Sequence, residues 1–181
     1  MRTARLRRQA GHGDFHVVVI VFGVSGTGKT TVGNRLARDL GWHFYEADDF
    51  HSRANIDKMK RGIPLNDQDR QPWLARLRKV IERSLANNEN AVLACSGLKR
   101  KYRRRLRVDA EVKFVFLRGD YELVRKQLAR RRGHFMRPEL LKSQFDALEE
   151  PRPNEETIVI QLGQSPRDLV RKIKDALAAS N

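Results

Sequence analysis

The sequence predicts an α/β domain, a five-stranded parallel sheet flanked by helices. Five short apolar runs, residues 17–22, 43–47, 91–95, 112–117 and 157–162, alternate with segments whose apolar residues recur at helical spacing. That alternation implies a parallel sheet covered on both sides. The first run ends in a glycine-rich turn, Gly23-Val24-Ser25-Gly26-Thr27-Gly28-Lys29-Thr30-Thr31, which opens a helix. At 181 residues the chain fits one domain, long enough for a real core.

The first strand, residues 17–22, is six apolar and mostly β-branched residues, a pattern for burial on both faces. The spacing after it, Gly23-x4-Gly28-Lys29-Thr30, is the phosphate-binding P-loop. Its glycines let backbone amides converge on phosphate oxygens, and the helix N-terminus adds partial positive charge. Lys29 can bridge β- and γ-phosphates, and the Thr30 hydroxyl can complete a Mg²⁺ shell. Gly23, Ser25, Gly26, Thr27, Gly28, Lys29, Thr30 and Thr31 are thus the candidate nucleotide contacts. Val32, Leu36, Ala37 and Leu40 form the stripe of the helix that follows, and Gly41 ends it.

The second strand, residues 43–47, leads into Asp48-Asp49-Phe50-His51. A carboxylate at a strand's C-terminal end, beside the P-loop strand, lies where open α/β sheets bind ligands. Asp48 or Asp49 could hold Mg²⁺ through water or accept a proton from a substrate hydroxyl, while the other caps the next helix. Residues 52–61 read as a polar helix. The Asn66/Asp67/Asp69 cluster then starts a helix whose stripe, Trp73, Leu74, Leu77, Val80, Ile81 and Leu85, belongs to the core. By spacing alone, Arg70 is a surface arginine.

The third strand, residues 91–95, ends in Ser96-Gly97, small enough for a ligand to approach the backbone. Cys95 reads as a core residue rather than a nucleophile. Seven of the nine residues 99–107 are basic, with Tyr102 among them, and they can contact anions or form a solvated helix face. The fourth strand, residues 112–117, is followed by a helix over 121–130. The basic, glycine-containing turn Arg130-Arg131-Arg132-Gly133-His134 suits a mobile lid that excludes water and brings cations to a transferring phosphate. A helix over 138–148, the fifth strand at 157–162 and a closing helix over 167–178 complete the domain.

Composition bounds the reading further. No apolar run is long enough to span a bilayer, so no membrane association is expected. A single cysteine rules out an internal disulfide framework and points to a reducing, cytoplasmic compartment. Residues 1–16 carry early arginines without the apolar core of a secretory signal and are expected to be a disordered basic tail, leaving 17–181 as the folded domain. The net charge of +15 would draw any polyanion, but does not decide function. Residues 99–107 lack the aromatic series that stacks on bases, which argues against a nucleic-acid binder.

Three further groups of residues carry a family resemblance. One is Glu46-Ala47-Asp48-Asp49-Phe50-His51 with Gly62-Ile63-Pro64-Leu65-Asn66-Asp67-Gln68-Asp69-Arg70-Gln71-Pro72-Trp73-Leu74. The second is Cys95-Ser96-Gly97-Leu98-Lys99-x-x-Tyr102-Arg103. The third is Gly133-His134-Phe135-Met136 with Leu140-Leu141-x-Ser143-Gln144-Phe145-x-x-Leu148-Glu149. With the P-loop, in this order, they resemble small P-loop gluconokinases, relatives of shikimate and nucleoside monophosphate kinases. The resemblance implies ATP- and Mg²⁺-dependent phosphorylation of D-gluconate at its 6-hydroxyl, a nucleoside monophosphate kinase-like fold with a lid at about 130–138, and a homodimer. It assigns Lys29, Asp48 and Arg131 to catalysis, with Thr30 and Asp48 at the metal. It places Asp48, His51, Arg70, Lys99, Tyr102, Arg103, His134 and Gln144 at the substrate. Among the departures, Glu46 stands where the family commonly has Asp, Gly97 where Ala is usual, and Gln127 where an arginine is often found. None removes a group that phosphoryl transfer requires.

Overall fold

The computed structural model describes residues 16–129 and 138–180. The basic tail before residue 16, and Arg131 and His134 of the expected lid, lie outside the described residues. The described chain is the anticipated five-stranded, all-parallel sheet in the order β2-β3-β1-β4-β5. Its strands are β1 (Val18–Phe22), β2 (His43–Glu46), β3 (Ala91–Cys95), β4 (Val112–Arg118) and β5 (Thr157–Gln161). The helices are α1 (Lys29–Leu40), α2 (Arg53–Lys60), α3 (Asp67–Ala86), α4 (Arg100–Leu106), α5 (Tyr121–Ala129), α6 (Pro138–Ala147) and α7 (Pro166–Ala179).

β1 is central, and alternation along it splits the core in two. Val18, Ile20 and Phe22 face Trp73, Leu74, Leu77 and Ile81 of α3 and Tyr102 and Leu106 of α4. Val19 and Val21 face Val32 and Leu36 of α1 and Leu169, Val170 and Ile173 of α7. A third cluster joins Val24 and Leu98, from the loops after β1 and β3, to Val124, Leu128 and Leu141 of α5 and α6. The chain leaves β1 toward β2 on one side, and leaves β3 toward β4 on the other. A crevice therefore opens at the C-terminal ends of these two neighbouring strands.

Several element boundaries differ from the sequence expectation, each for a local reason. The second strand stops at Glu46, because Ala47–Phe50 winds into a 3₁₀ turn. Neither Asp48 nor Asp49 caps α2: Ser52 does, its side chain accepting from the Asn55 amide. α3 begins at Asp67, well before its apolar stripe, because Asn66 and Asp69 form a reciprocal capping box. That places Arg70 inside the helix. The last helix starts at Pro166, which suits the first helical position after the Ser165 cap.

Buried ionic contacts tie α4 to the loop before β5. Arg103 is 2% exposed and donates to both carboxylate oxygens of Glu155, at 2.8 and 3.1 Å. It also donates to the carbonyls of Gly97 and Leu98, at 3.0 and 3.1 Å. Burial, the largest single influence, pushes the Glu155 carboxyl up, but the Arg103 hydrogen bonds, the Arg152 amide and the charges of Arg103 and Arg100 together hold the group below its ordinary range. An acid depressed in the folded state adds stability above its unfolded pKa, and that stability is lost as pH falls through the folded value. Arg103→Ala is expected to cost about 3 kcal/mol, the usual penalty for stranding one half of a buried ion pair. Glu155→Gln is expected to soften the loss of stability in acid. Denaturant titrations at neutral and acid pH measure both.

Candidate active site

The P-loop has the conformation its spacing demands. Gly26 sits at φ 90°, and a Cβ there would lie 2.6 Å from the Leu128 side chain, so both turn and packing require glycine. Thr27 is buried and donates its hydroxyl back to the Val24 carbonyl at 2.9 Å, bracing the loop from inside. Gly28 turns left-handed and leads into α1 without a side-chain cap, leaving the first helical amides to an incoming anion. Lys29 and Thr30 are the first two residues of that helix, and the Lys29 ammonium lies 3.0 Å from the Val24 carbonyl.

A carboxylate from β2 meets this turn. The Thr30 hydroxyl donates to Glu46 at 2.6 Å. Burial raises the Glu46 pKa, with the Thr30 hydrogen bond opposing and the charge of Asp48 adding to the rise. A hydroxyl beside carboxylates, all hard oxygen donors, suits Mg²⁺, which retains water and takes substrate phosphates as ligands. Among the described residues no cluster of three or more His, Cys, Asp or Glu side chains forms a metal cage. A shared site of protein and phosphate oxygens is the arrangement these residues fit.

Asp48 follows Glu46 by two residues, in the 3₁₀ turn, with its side chain 75% exposed. The turn is anchored from below: the Trp73 indole N–H donates to the Ala47 carbonyl at 2.7 Å. His51 stacks on the Trp73 ring, centroids 4.7 Å apart and planes within 6°. The imidazole is 5% exposed, with its Nε2 4.0 Å from the Asp48 carboxylate. Burial lowers the His51 pKa, while Asp48 pulls it the other way. His51 thus lies beneath Asp48 as a buried support rather than as an exposed contact.

The start of α3 faces a group of cations from α4 and its flank. The Asp67 carboxylate accepts from Lys99 at 2.9 Å, from Lys101 and from the Tyr102 hydroxyl. Those hydrogen bonds, Lys101 first, hold Asp67 below its ordinary range. The Tyr102 phenol is pushed up to about 12, by burial and then by its bond to Asp67, so it remains a donor. The Arg70 guanidinium lies 5.8 Å from the Tyr102 ring centroid and donates to the Leu65 carbonyl. Arg70, Lys99 and Tyr102 are therefore brought together.

Arg103 and Gln144 stand elsewhere. The Arg103 guanidinium is committed to Glu155 and two carbonyls, so it holds the Gly97–Leu98 loop instead of facing the crevice. Gln144 contacts the P-loop at Ser25, not the cations near Asp67. Cys95 is buried and its thiol pushed up to about 12, chiefly by burial, which excludes it as a nucleophile. The spacing marks Asp67 only as a helix start and Trp73 only as core. The Asn-Asp and Pro-Trp motif contained both without distinguishing their contacts.

An AAA domain family model matches residues 18–151. A protein of Rattus norvegicus named "Probable gluconokinase" is 45% identical over 179 residues, covering 88% of this chain and 97% of the relative. The crystal structure of a gluconokinase from Sinorhizobium meliloti 1021 superposes with a TM-score of 0.82 at 41% identity, covering 91% of this chain and 93% of that one. A shikimate kinase from Acinetobacter baumannii, solved in complex with shikimate, shares the fold at a TM-score of 0.60 and 21% identity, covering 93% of this chain and 96% of that one.

Proposed function

The chain belongs to the gluconokinase family, and from that membership we propose that it transfers the γ-phosphoryl group of ATP to the 6-hydroxyl of D-gluconate, giving 6-phosphogluconate and ADP. The observation that best supports an acid as acceptor is the cation group of Arg70, Lys99 and Lys101. Lys99 and Lys101 already bind one carboxylate, that of Asp67, with the Tyr102 phenol as a further donor and Arg70 over the Tyr102 ring. A neutral sugar offers such a group nothing to pair with, whereas a sugar acid offers a carboxylate suited to an arginine fork.

In this reading the P-loop amides and Lys29 hold the phosphate chain. Thr30, with Glu46 and Asp48 nearby, would hold Mg²⁺, which would neutralise phosphate charge. Asp48 orients the acceptor hydroxyl and takes its proton as the phosphoryl group arrives. Phosphoryl transfer rests on positioning and charge stabilisation, so a strong base is not required. Trp73 and His51 keep the Asp48 turn in place from beneath. Arg131 is the cation proposed for the transferring phosphate and His134 a further acceptor contact, both within a lid at about 130–138. The proposal also takes 17–181 as the kinase domain, cytoplasmic and homodimeric.

The direct test is the product. Mass and enzymatic identification of 6-phosphogluconate supports the reading, and phosphate on any other hydroxyl overturns the acceptor geometry. Arg70→Ala is expected to raise the gluconate KM roughly tenfold to a hundredfold, as expected for losing a charged hydrogen bond, with the ATP KM little changed. A selective rise in the ATP KM would move Arg70 to the nucleotide side.

A further inference from the structure

Gln144 of α6 reaches across 119 positions of sequence to the P-loop and meets Ser25 twice. The Ser25 backbone N–H donates to Gln144 Oε1 at 2.7 Å, and Gln144 Nε2 lies 3.0 Å from Ser25 Oγ. The orientation of the amide is fixed by chemistry: a backbone N–H can only donate, so the carboxamide oxygen must face it. The carboxamide nitrogen then faces the serine hydroxyl and donates to it. A hydroxyl that accepts from a neighbour keeps its own proton to give elsewhere. Ser25 lies inside the turn that wraps the phosphate chain, between Val24 and Gly26. Packing holds the donor rigidly, because Leu141 is 2% exposed and, with Phe145, lies against Val24, Leu98 and Leu128.

We propose that Gln144 is a positioning residue that presents the Ser25 hydroxyl as a hydrogen-bond donor to the terminal phosphate of the bound nucleoside triphosphate. The inference rests on the P-loop as the nucleotide site and deepens it. A residue far along the chain decides which way a P-loop hydroxyl points, and so favours a triphosphate over a diphosphate. Released ADP lacks the phosphate that this donor serves, so the same contact assists turnover.

The test compares ATP-analogue and ADP affinity, using a non-hydrolysable triphosphate and the full-length chain. Gln144→Glu keeps the acceptor for the Ser25 amide but cannot donate, and its carboxylate draws the hydroxyl proton to itself. It is expected to cut the preference for triphosphate over diphosphate about tenfold, the worth of one charge-assisted hydrogen bond. The gluconate KM should remain unchanged. Ser25→Ala should produce the same narrowing, and the double variant should add little to either change. Equal weakening of both nucleotides would mark Gln144 as a structural brace only and overturn the proposal, as would a change confined to the gluconate KM. Lys29→Ala separates the two levels. If it leaves nucleotide affinity intact, the P-loop reading itself fails; if it abolishes affinity while Gln144→Glu does nothing, only the present inference fails.

Discussion

Lys29→Ala is expected to lower gluconate-dependent ADP formation by at least about a hundredfold to a thousandfold, the scale set by removing one preorganised charge-stabilising donor. Lys29 is the first residue of α1 and lies at the mouth of the turn, its ammonium 3.0 Å from the Val24 carbonyl. The cradle is shaped by the left-handed backbone of Gly26 and Gly28. The variant should therefore fold normally, its stability within about 1 kcal/mol of the parent, as for most substitutions outside a packed core. Thermal unfolding beside a coupled assay distinguishes lost chemistry from lost fold. Near-normal turnover would refute the assignment of this loop to the transferred phosphate.

Asp48→Asn is expected to be the next most damaging change, lowering kcat roughly a hundredfold, the lower end for losing a positioned proton acceptor. The asparagine keeps the size of the side chain, and the 3₁₀ turn depends on the Trp73 bond to the Ala47 carbonyl rather than on Asp48. What goes is the negative charge and the ability to take the hydroxyl proton. If positioning alone mattered, Asn would serve nearly as well, since an amide oxygen also accepts a hydrogen bond. Single-turnover rates for Asp48→Asn and Asp48→Ala separate these roles. Unchanged kcat in Asp48→Asn would remove the carboxylate from the chemistry.

The parts of the molecule legible in the sequence are those with local signals. Six adjoining apolar residues, a fixed glycine spacing and a helical stripe placed β1, the P-loop and α1 almost to the residue. The sheet follows from repetition of the same pattern, and Cys95 reads as core because nothing near it in sequence could activate a thiol. The shortfalls concern side chains whose partners are distant in sequence. Arg103 looks like one more cation in a basic run until Glu155, 52 residues on, buries it. Asp67 starts a helix by its spacing, yet its carboxylate is occupied by groups from α4 and its flank, 32 to 35 residues away. His51 belongs to a substrate motif by resemblance, but stacking on Trp73 turns it inward. Gln144 carries no periodic or spacing signal for Ser25. Motifs register which residues travel together; which pairs touch is decided by how helices pack on the sheet.

The most direct measurement of the central claim is ATP turnover with a panel of acceptors: gluconate, other sugar acids, glucose and shikimate. ADP formation is expected to depend on gluconate: glucose should be inactive because it has no carboxylate for the cation group near Asp67, and shikimate, although an acid, because the family relation is to gluconokinases. Turnover that prefers glucose or shikimate over gluconate would contradict it, leaving the fold and the P-loop in place but reassigning Arg70, Lys99 and Tyr102.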